Sequence, residues 1–332
     1  MKEHSFARGL SRRTVMTAAA ASAFATPALA QRCPATPPAR PKGEAVWLDL
    51  DQQALDDAYD QSVYAFNSKT IDERHRANNA QALAALGKPE RFAYGSAPIE
   101  GIDVWRANRP NAPVLIFIHG GSWRSGRAAD FALYAEPFVR AGAHFASVDF
   151  NSVLETNGDL FPMVDQCRRA IAWIWRNAAE LGADRDAIYL CSRSSGSHLA
   201  GCVVITEWEK QGLPRDILKG GVLGSGMYDL KPVRLSSRSR FVKFTDAMEQ
   251  ELSAMRHIER IHTPLVLGIG TLETPEFQRQ SRDFAAALTA AGKPVELIVA
   301  PGYNHFEVGE SLGHPYALLG RAAMRMLRLG TA

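Results

Sequence analysis

The sequence predicts an α/β fold: a mainly parallel, doubly wound sheet with helices on both faces and antiparallel strands on its N-terminal side. Three observations lead there. Short apolar runs alternate with helical patterns along most of the chain, the pattern of strands joined by right-handed helical crossovers. The run Val114-Leu115-Ile116-Phe117-Ile118 is continuous rather than alternating, as a strand buried on both faces requires. The chain also lacks the internal repeats, at periods of roughly 20–50 residues, that mark a solenoid or a propeller.

The elements follow in order. Residues 1–30 contain the basic stretch Ser11-Arg12-Arg13-Thr14-Val15-Met16, an alanine-rich apolar run, and Thr26-Pro27-Ala28-Leu29-Ala30. These are the n-region, h-region and A-x-A site of a secretory signal peptide. The paired arginines point to the twin-arginine export machinery as a partner before cleavage. Cleavage is expected after Ala30, giving a periplasmic or secreted product. The apolar run is too short and too rich in alanine to span a membrane, which takes about 20 strongly apolar residues, so no stable membrane insertion is expected after cleavage. Residues 31–43 carry four prolines and read as an extended linker. The folded domain is expected over residues 44–330, close to the upper size for one hydrophobic core.

Within that domain, helical patterns occupy residues 51–62 and 71–86. Residues 91–106 alternate apolar and polar side chains, like paired antiparallel strands with one wet face. Strands are expected at 114–118, 144–150, 187–192, 220–225, 264–270 and 295–300. Helices are expected at 131–141, 162–181, 196–208, 276–291 and 316–327, with a less regular helical stretch over 241–261. Ligands bind such sheets beyond the carboxyl ends of the strands, so the residues just after each strand are the candidates for chemistry.

Composition narrows the partners. The chain has 332 residues, 46% hydrophobic and 22% charged, with a net charge of +3; this is ordinary globular usage and excludes disordered, collagen-like and disulfide-scaffold classes. Lys2, Arg8, Arg12 and Arg13 against Glu3 account for the whole excess, leaving 34 basic and 34 acidic residues beyond residue 30. The basic excess belongs to the export signal, and no nucleic-acid partner is expected.

Three strand ends carry one chemistry. Ser192-Arg193-Ser194-Ser195-Gly196 joins a strand to a helix with a central serine and a glycine two positions on, the form of a nucleophile elbow. Ser192 stands where glycine is usual. Alone, a Ser-rich strand-to-helix turn also reads as a plain N-cap. Seventy-five positions before Ser194, His119-Gly120-Gly121-Ser122-Trp123 follows the apolar strand; backbone N–H groups there, with that of Ser195, would form an oxyanion hole. His119 reads as a structural ring, and Trp123 either lines the pocket or closes the core. A serine nucleophile needs a base held by an acid. His305, in Pro301-Gly302-Tyr303-Asn304-His305-Phe306, is the one histidine in a turn just after a late strand. Glu273 follows the strand 264–270 and precedes His305 by 32 positions, giving the order serine, acid, histidine; Glu276 and Glu307 are the runner-up acids. Tyr303 is the second candidate substrate contact.

Together the HGGSW loop, the S-R-S-S-G-S-H-L-A elbow, the G-x-x-E-T-P-E-F segment and the Y-N-H-F-E segment resemble the α/β-hydrolase fold, in its HGG-loop esterase/lipase and arylformamidase (kynurenine formamidase) branch. The resemblance runs from about Leu48 to Leu327 and departs from the usual pattern at Ser192 and in having Glu273 where aspartate is commoner. It implies Ser194 as nucleophile, Glu273 as acid, His305 as base, and Gly120, Gly121 and Ser195 as oxyanion donors. It also implies hydrolysis of a carboxylic ester or small amide without a metal or organic cofactor. The export signal favours an ester, because kynurenine formamidases act on a cytoplasmic metabolite. An inactive binding protein on the same fold is the third reading.

The remaining features read mainly as structure. No Cys/His spacing suggests a metal, and Cys167, Cys191 and Cys202 read as buried thiols. His198 reads as packing or capping, and Asp149 as either a support of the oxyanion loop or a turn residue. Specificity is expected from residues 228–260 with the N-terminal helices. The basic run Arg234-Leu235-Ser236-Ser237-Arg238-Ser239-Arg240 reads either as a solvated loop or as a contact for an anionic substrate.

Overall fold

The computed structural model describes residues 40–330 together with Met1. The chain divides into two units, Met1–Cys33 and Pro34–Ala332, and every strand and helix named below belongs to the second. The expected signal peptide, its cleavage site, Cys33 and most of the linker lie outside the described residues.

A short antiparallel ladder of β1 (Ala45–Trp47) and β2 (Leu50–Asp51) leads into the helices Gln52–Ala58, Gln61–Tyr64 and Ser68–Leu86. The eight-stranded sheet comprises β3 (Glu90–Ala93), β4 (Gly101–Trp105), β5 (Ala112–Ile118), β6 (His144–Val148), β7 (Ala183–Arg193), β8 (Gly220–Gly224), β9 (Leu265–Gly270) and β10 (Val295–Ala300). Its spatial order is β10-β9-β8-β7-β5-β6-β4-β3. The pairs β3/β4 and β4/β6 are antiparallel and the others parallel. The strand order reverses around β5, where such a fold opens a crevice for a ligand.

Alternation along β5 builds two cores. Val114, Ile116 and Ile118 join the cluster on one face, and Leu115 and Phe117 the cluster on the other, as the two-residue period of a strand dictates. The amphipathic helices follow the same logic. Phe161–Arg176 turns Met163, Val164, Cys167, Ala170, Ile171 and Ile174 inward, and Pro275–Ala290 turns Phe277, Phe284 and Leu288 inward. The second helix begins at a Thr274 cap, whose hydroxyl accepts the Phe277 N–H, with Pro275 in the first turn.

The N-terminal antiparallel pair differs from its sequence pattern in one respect. The wet face is confined to β3; every residue of β4 is buried. Asp103, the charged residue of β4, is 5% exposed and accepts from the Arg91 guanidinium at 2.7 Å, so a paired charge occupies a position the alternation assigns to solvent. The late part of the chain also gains the short helix His305–Glu310, and the last helix starts at Leu318 rather than 316.

Candidate active site

Ser194 stands between β7 and the helix Ser195–Val204 with φ 55° and ψ −130°. A non-glycine residue is strained in that region. The packing that holds it there is made by absent side chains. A Cβ on Gly196 would collide with the carbonyl oxygens of Ile118 and His119, and one on Gly120 would lie 2.9 Å from the Arg193 carbonyl and from Ser194 Cβ. The elbow helix therefore seats directly on the end of β5. Ser192 does not crowd this turn: it is buried, and its Oγ lies 2.9 Å from Ser197 Oγ, which donates to the Gly224 carbonyl at 2.8 Å.

His305 is fixed by its own helix start. Asn304 accepts from the N–H groups of Phe306 and Glu307 at 3.0 and 3.2 Å, while Glu307 accepts the Asn304 N–H at 2.8 Å, a reciprocal capping box. The imidazole, 5% exposed, then bridges two groups. Its Nε2 is 2.8 Å from Ser194 Oγ, and its Nδ1 is 2.8 Å from Glu273 Oε2. Glu273 is 2% exposed; its other oxygen accepts from the Ser225 hydroxyl and the Gly270 N–H, each at 2.7 Å. A carboxylate only accepts, so Nδ1 carries the proton and Nε2 turns its lone pair to the serine hydroxyl. Burial lowers the His305 pKa below the ordinary imidazole value, against the opposing pull of Glu273.

Two further parts meet at this point. The N–H groups of Gly121 and Ser195 have no acceptor among the described residues. The loop that carries Gly121 is tied to the elbow by Trp123, whose N–H donates to Ser195 Oγ at 3.1 Å. His119 orients that loop: its ring stacks on Phe150 at 4.2 Å, and Nδ1 bonds the Gly120 carbonyl at 2.9 Å. Asp149 holds the far end of the loop, accepting the Ala128 N–H at 2.7 Å and pairing with Arg91 at 2.8 Å.

A cavity of about 560 Å³ opens on Ser194 and His305 and is also lined by Gly121, Ser122, Phe241 and Phe306. Both segments expected to shape specificity reach it, as Tyr59–Ser62 and as Ser237–Phe241. Two expected contacts are corrected. Trp123 is 2% exposed, edge-on to His198 at 5.1 Å, and lies in the core outside the cavity lining, at the end of a turn in which Gly121, Ser122 and Trp123 all have positive φ. Tyr303 lines a different cavity, with Arg74, Glu307 and Glu310, because the cap at Asn304 turns the chain between it and His305. The runner-up acids are engaged elsewhere. Glu276 pairs with Arg279 at 2.7 Å and accepts the Tyr59 hydroxyl at 3.1 Å, and Glu307 belongs to the capping box.

Sequence reasoning passed over Ser225, Asn304 and Gln61. Ser225 directly follows β8, a position the strand-end rule covers, and the Asn-x-x-Glu spacing of Asn304 and Glu307 is a helix-start signal; Gln61 carries no signal of its own. Arg238 of the basic run is not a solvated residue: it is 4% exposed. The other residues match their structural readings. His198 bonds the Leu252 carbonyl at 3.0 Å, and burial lowers its pKa to about 4. Cys167, Cys191 and Cys202 are buried free thiols, and burial pushes Cys202 up to about 12. Among the described residues no cluster of His, Cys, Asp or Glu forms a metal site, and no helix is long and apolar enough to cross a membrane.

The sheet order and the strand-to-helix turn at Ser194 define the class: the protein has the α/β-hydrolase fold. Known proteins narrow this. The BD-FAE family matches residues 102–222. A kynurenine formamidase of Danio rerio is 28% identical over 241 residues, covering 70% of this chain and 80% of that protein. An esterase of Mycobacterium tuberculosis is 28% identical over 239 residues, covering 65% of this chain and 59% of that protein. The solved structure of Thermogutta terrifontis esterase 2 superposes with a TM-score of 0.61 at 23% identity, covering 74% of this chain and 98% of that one. The chain is a hydrolase of the α/β-hydrolase fold, similar to esterases and to a kynurenine formamidase.

Proposed function

We propose that the protein hydrolyses a carboxylic ester through an acyl-enzyme intermediate, with Ser194 as nucleophile, His305 as general base and Glu273 as its orienting acid. The observation that carries this is the unbroken chain Ser194 Oγ, His305 Nε2, His305 Nδ1, Glu273 Oε2, with 2.8 Å at both contacts. Ser194 attacks the ester carbonyl and gives its proton to Nε2; the imidazolium is stabilised by Glu273 and passes the proton to the leaving alkoxide. The oxyanion is received by the amides of Gly121 and Ser195, with Gly120 as the third candidate donor. Water, deprotonated by the same imidazole, then releases the acid and restores Ser194. Turnover of p-nitrophenyl acetate that disappears in Ser194→Ala tests the reading; equal turnover by the variant contradicts it.

The likeness to a kynurenine formamidase favours a second reading, hydrolysis of an N-formyl or other small amide by the same residues. An ester and its matched anilide separate the two, since an amine must be protonated to leave and an alkoxide leaves more readily. The intact Ser194, His305 and Glu273 argue against an inactive binding protein. Export by the twin-arginine route to the periplasm or beyond belongs to the same proposal and is supported by residues 1–30. N-terminal sequencing of the exported product is expected to begin at Gln31.

A further inference from the structure

Buried polar atoms that lack a partner gather around the Ser194 cavity. Arg238 is 4% exposed, and among the described residues its Nε and Nη1 have no hydrogen-bond partner; Nη2 donates to the Tyr59 carbonyl at 3.1 Å. Gln61 is 8% exposed, and neither its amide nitrogen nor its amide oxygen is bonded among the described residues. Arg238 and Gln61 both belong to the lining of the cavity that holds Ser194 and His305. Groups of this kind are costly when buried unpaired, so their concentration at one site calls for a ligand.

The charge of that ligand is set by the surroundings. The Arg238 guanidinium faces the rings of Trp123 at 5.4 Å and Tyr59 at 6.0 Å, and pairs with no carboxylate among the described residues. Burial pulls its pKa down to about 10, which leaves it charged at neutral pH. Arg124 and Arg240 line the same cavity, and Asp60 is the one carboxylate of the lining among the described residues. That carboxylate is already engaged by the Ser62 N–H and hydroxyl, at 3.0 and 2.6 Å. A buried cation short of an anion, inside a cavity of excess positive charge, is a recognition site for an anionic group.

We propose that the substrate carries a carboxylate, seated against Arg238 and Gln61 while its scissile carbonyl lies at Ser194. The proposal rests on the ester hydrolysis proposed above and names the class of ester: one whose acyl or alcohol portion bears a free acid. Arg238 acts here by binding, so its effect falls on KM more than on kcat.

Matched substrates test it. Mono-p-nitrophenyl glutarate is compared with p-nitrophenyl pentanoate, placing the carboxylate on the acyl side, and 4-acetoxybenzoate with 4-acetoxybenzamide, placing it on the leaving group. In one of the two pairs the wild type is expected to prefer the carboxylate by roughly 10- to 100-fold in kcat/KM, the worth of a charge-assisted contact. Arg238→Met is expected to bring that ratio close to one, chiefly through KM, and Arg238→Lys to retain part of it. The ratio is read within one preparation, so a partly unfolded variant does not distort it. No preference in either pair, or a preference unchanged in Arg238→Met, overturns the proposal. Absence of all ester turnover would instead refute the esterase reading. The carboxylate site is then decided by calorimetry on Ser194→Ala: glutarate and acetoxybenzoate esters that bind no tighter than their neutral partners overturn it.

Discussion

Replacing Glu273 by glutamine removes one charge and almost no volume, and the structure dictates what the new amide does. One oxygen of Glu273 receives the Gly270 backbone N–H and the Ser225 hydroxyl, each at 2.7 Å, and the other receives His305 Nδ1 at 2.8 Å. The Gly270 donor is main chain and cannot turn away, so the glutamine oxygen must stay with it. The glutamine NH2 is then aimed at Nδ1, where it donates, and the imidazole is held in the tautomer with its proton on Nε2. Ser194 loses its acceptor. A carboxylate-to-amide change in this role costs on the order of 10⁴ in kcat, equivalent to about 5 kcal/mol of transition-state stabilisation. The assay is p-nitrophenyl acetate turnover, with thermal unfolding measured alongside to show that the fold persists. Glu276→Gln and Glu307→Gln, whose carboxylates do not touch His305, are expected to retain kcat within about tenfold. A Glu273→Gln variant that keeps kcat within tenfold of wild type would refute the tautomer argument.

Two further outcomes rest on the same geometry. A neutral His305 is required to accept the Ser194 proton, and burial lowers its pKa, so kcat/KM is expected to hold constant through neutral pH and fall only as pH drops through a value below the ordinary 6.5 of imidazole; a pH profile with its acidic inflection above 6.5 would contradict this. Gly196→Ala puts a methyl group against two backbone carbonyls that cannot yield like a flexible side chain, so a loss of about 2–3 kcal/mol in urea unfolding is expected, at the upper end for overpacking, and a loss under about 0.5 kcal/mol would argue against the close seating of the elbow.

The alternating pattern of the chain made the sheet legible because buried parallel strands write themselves as continuous apolar runs, and all six expected parallel-sheet strands occur within a few residues of their predicted bounds. The antiparallel pair was less legible, since the Arg91–Asp103 pair buries a charge that the alternation rule assigns to water. Ser194, Glu273 and His305 could be picked out because they lie one, three and five positions beyond the ends of their strands, where the fold brings distant segments together. Pocket residues could not be read that way. Trp123 and Tyr303 stand beside site residues in sequence, but the run of positive φ at Gly121, Ser122 and Trp123 and the cap at Asn304 place them outside the lining of the Ser194 cavity. Arg238 was visible as charge but not as a buried cation, because burial depends on the helices of residues 52–64 folding over it from a position 179 residues away.

The central claim is that Ser194 is the nucleophile, and covalent labelling tests it most directly. A fluorophosphonate ester is expected to inactivate the protein with a stoichiometry of one, and peptide mass spectrometry is expected to locate the adduct on Ser194, with labelling lost in Ser194→Ala and slowed in His305→Ala. An adduct on another residue, or ester turnover that survives complete modification of Ser194, would contradict the account.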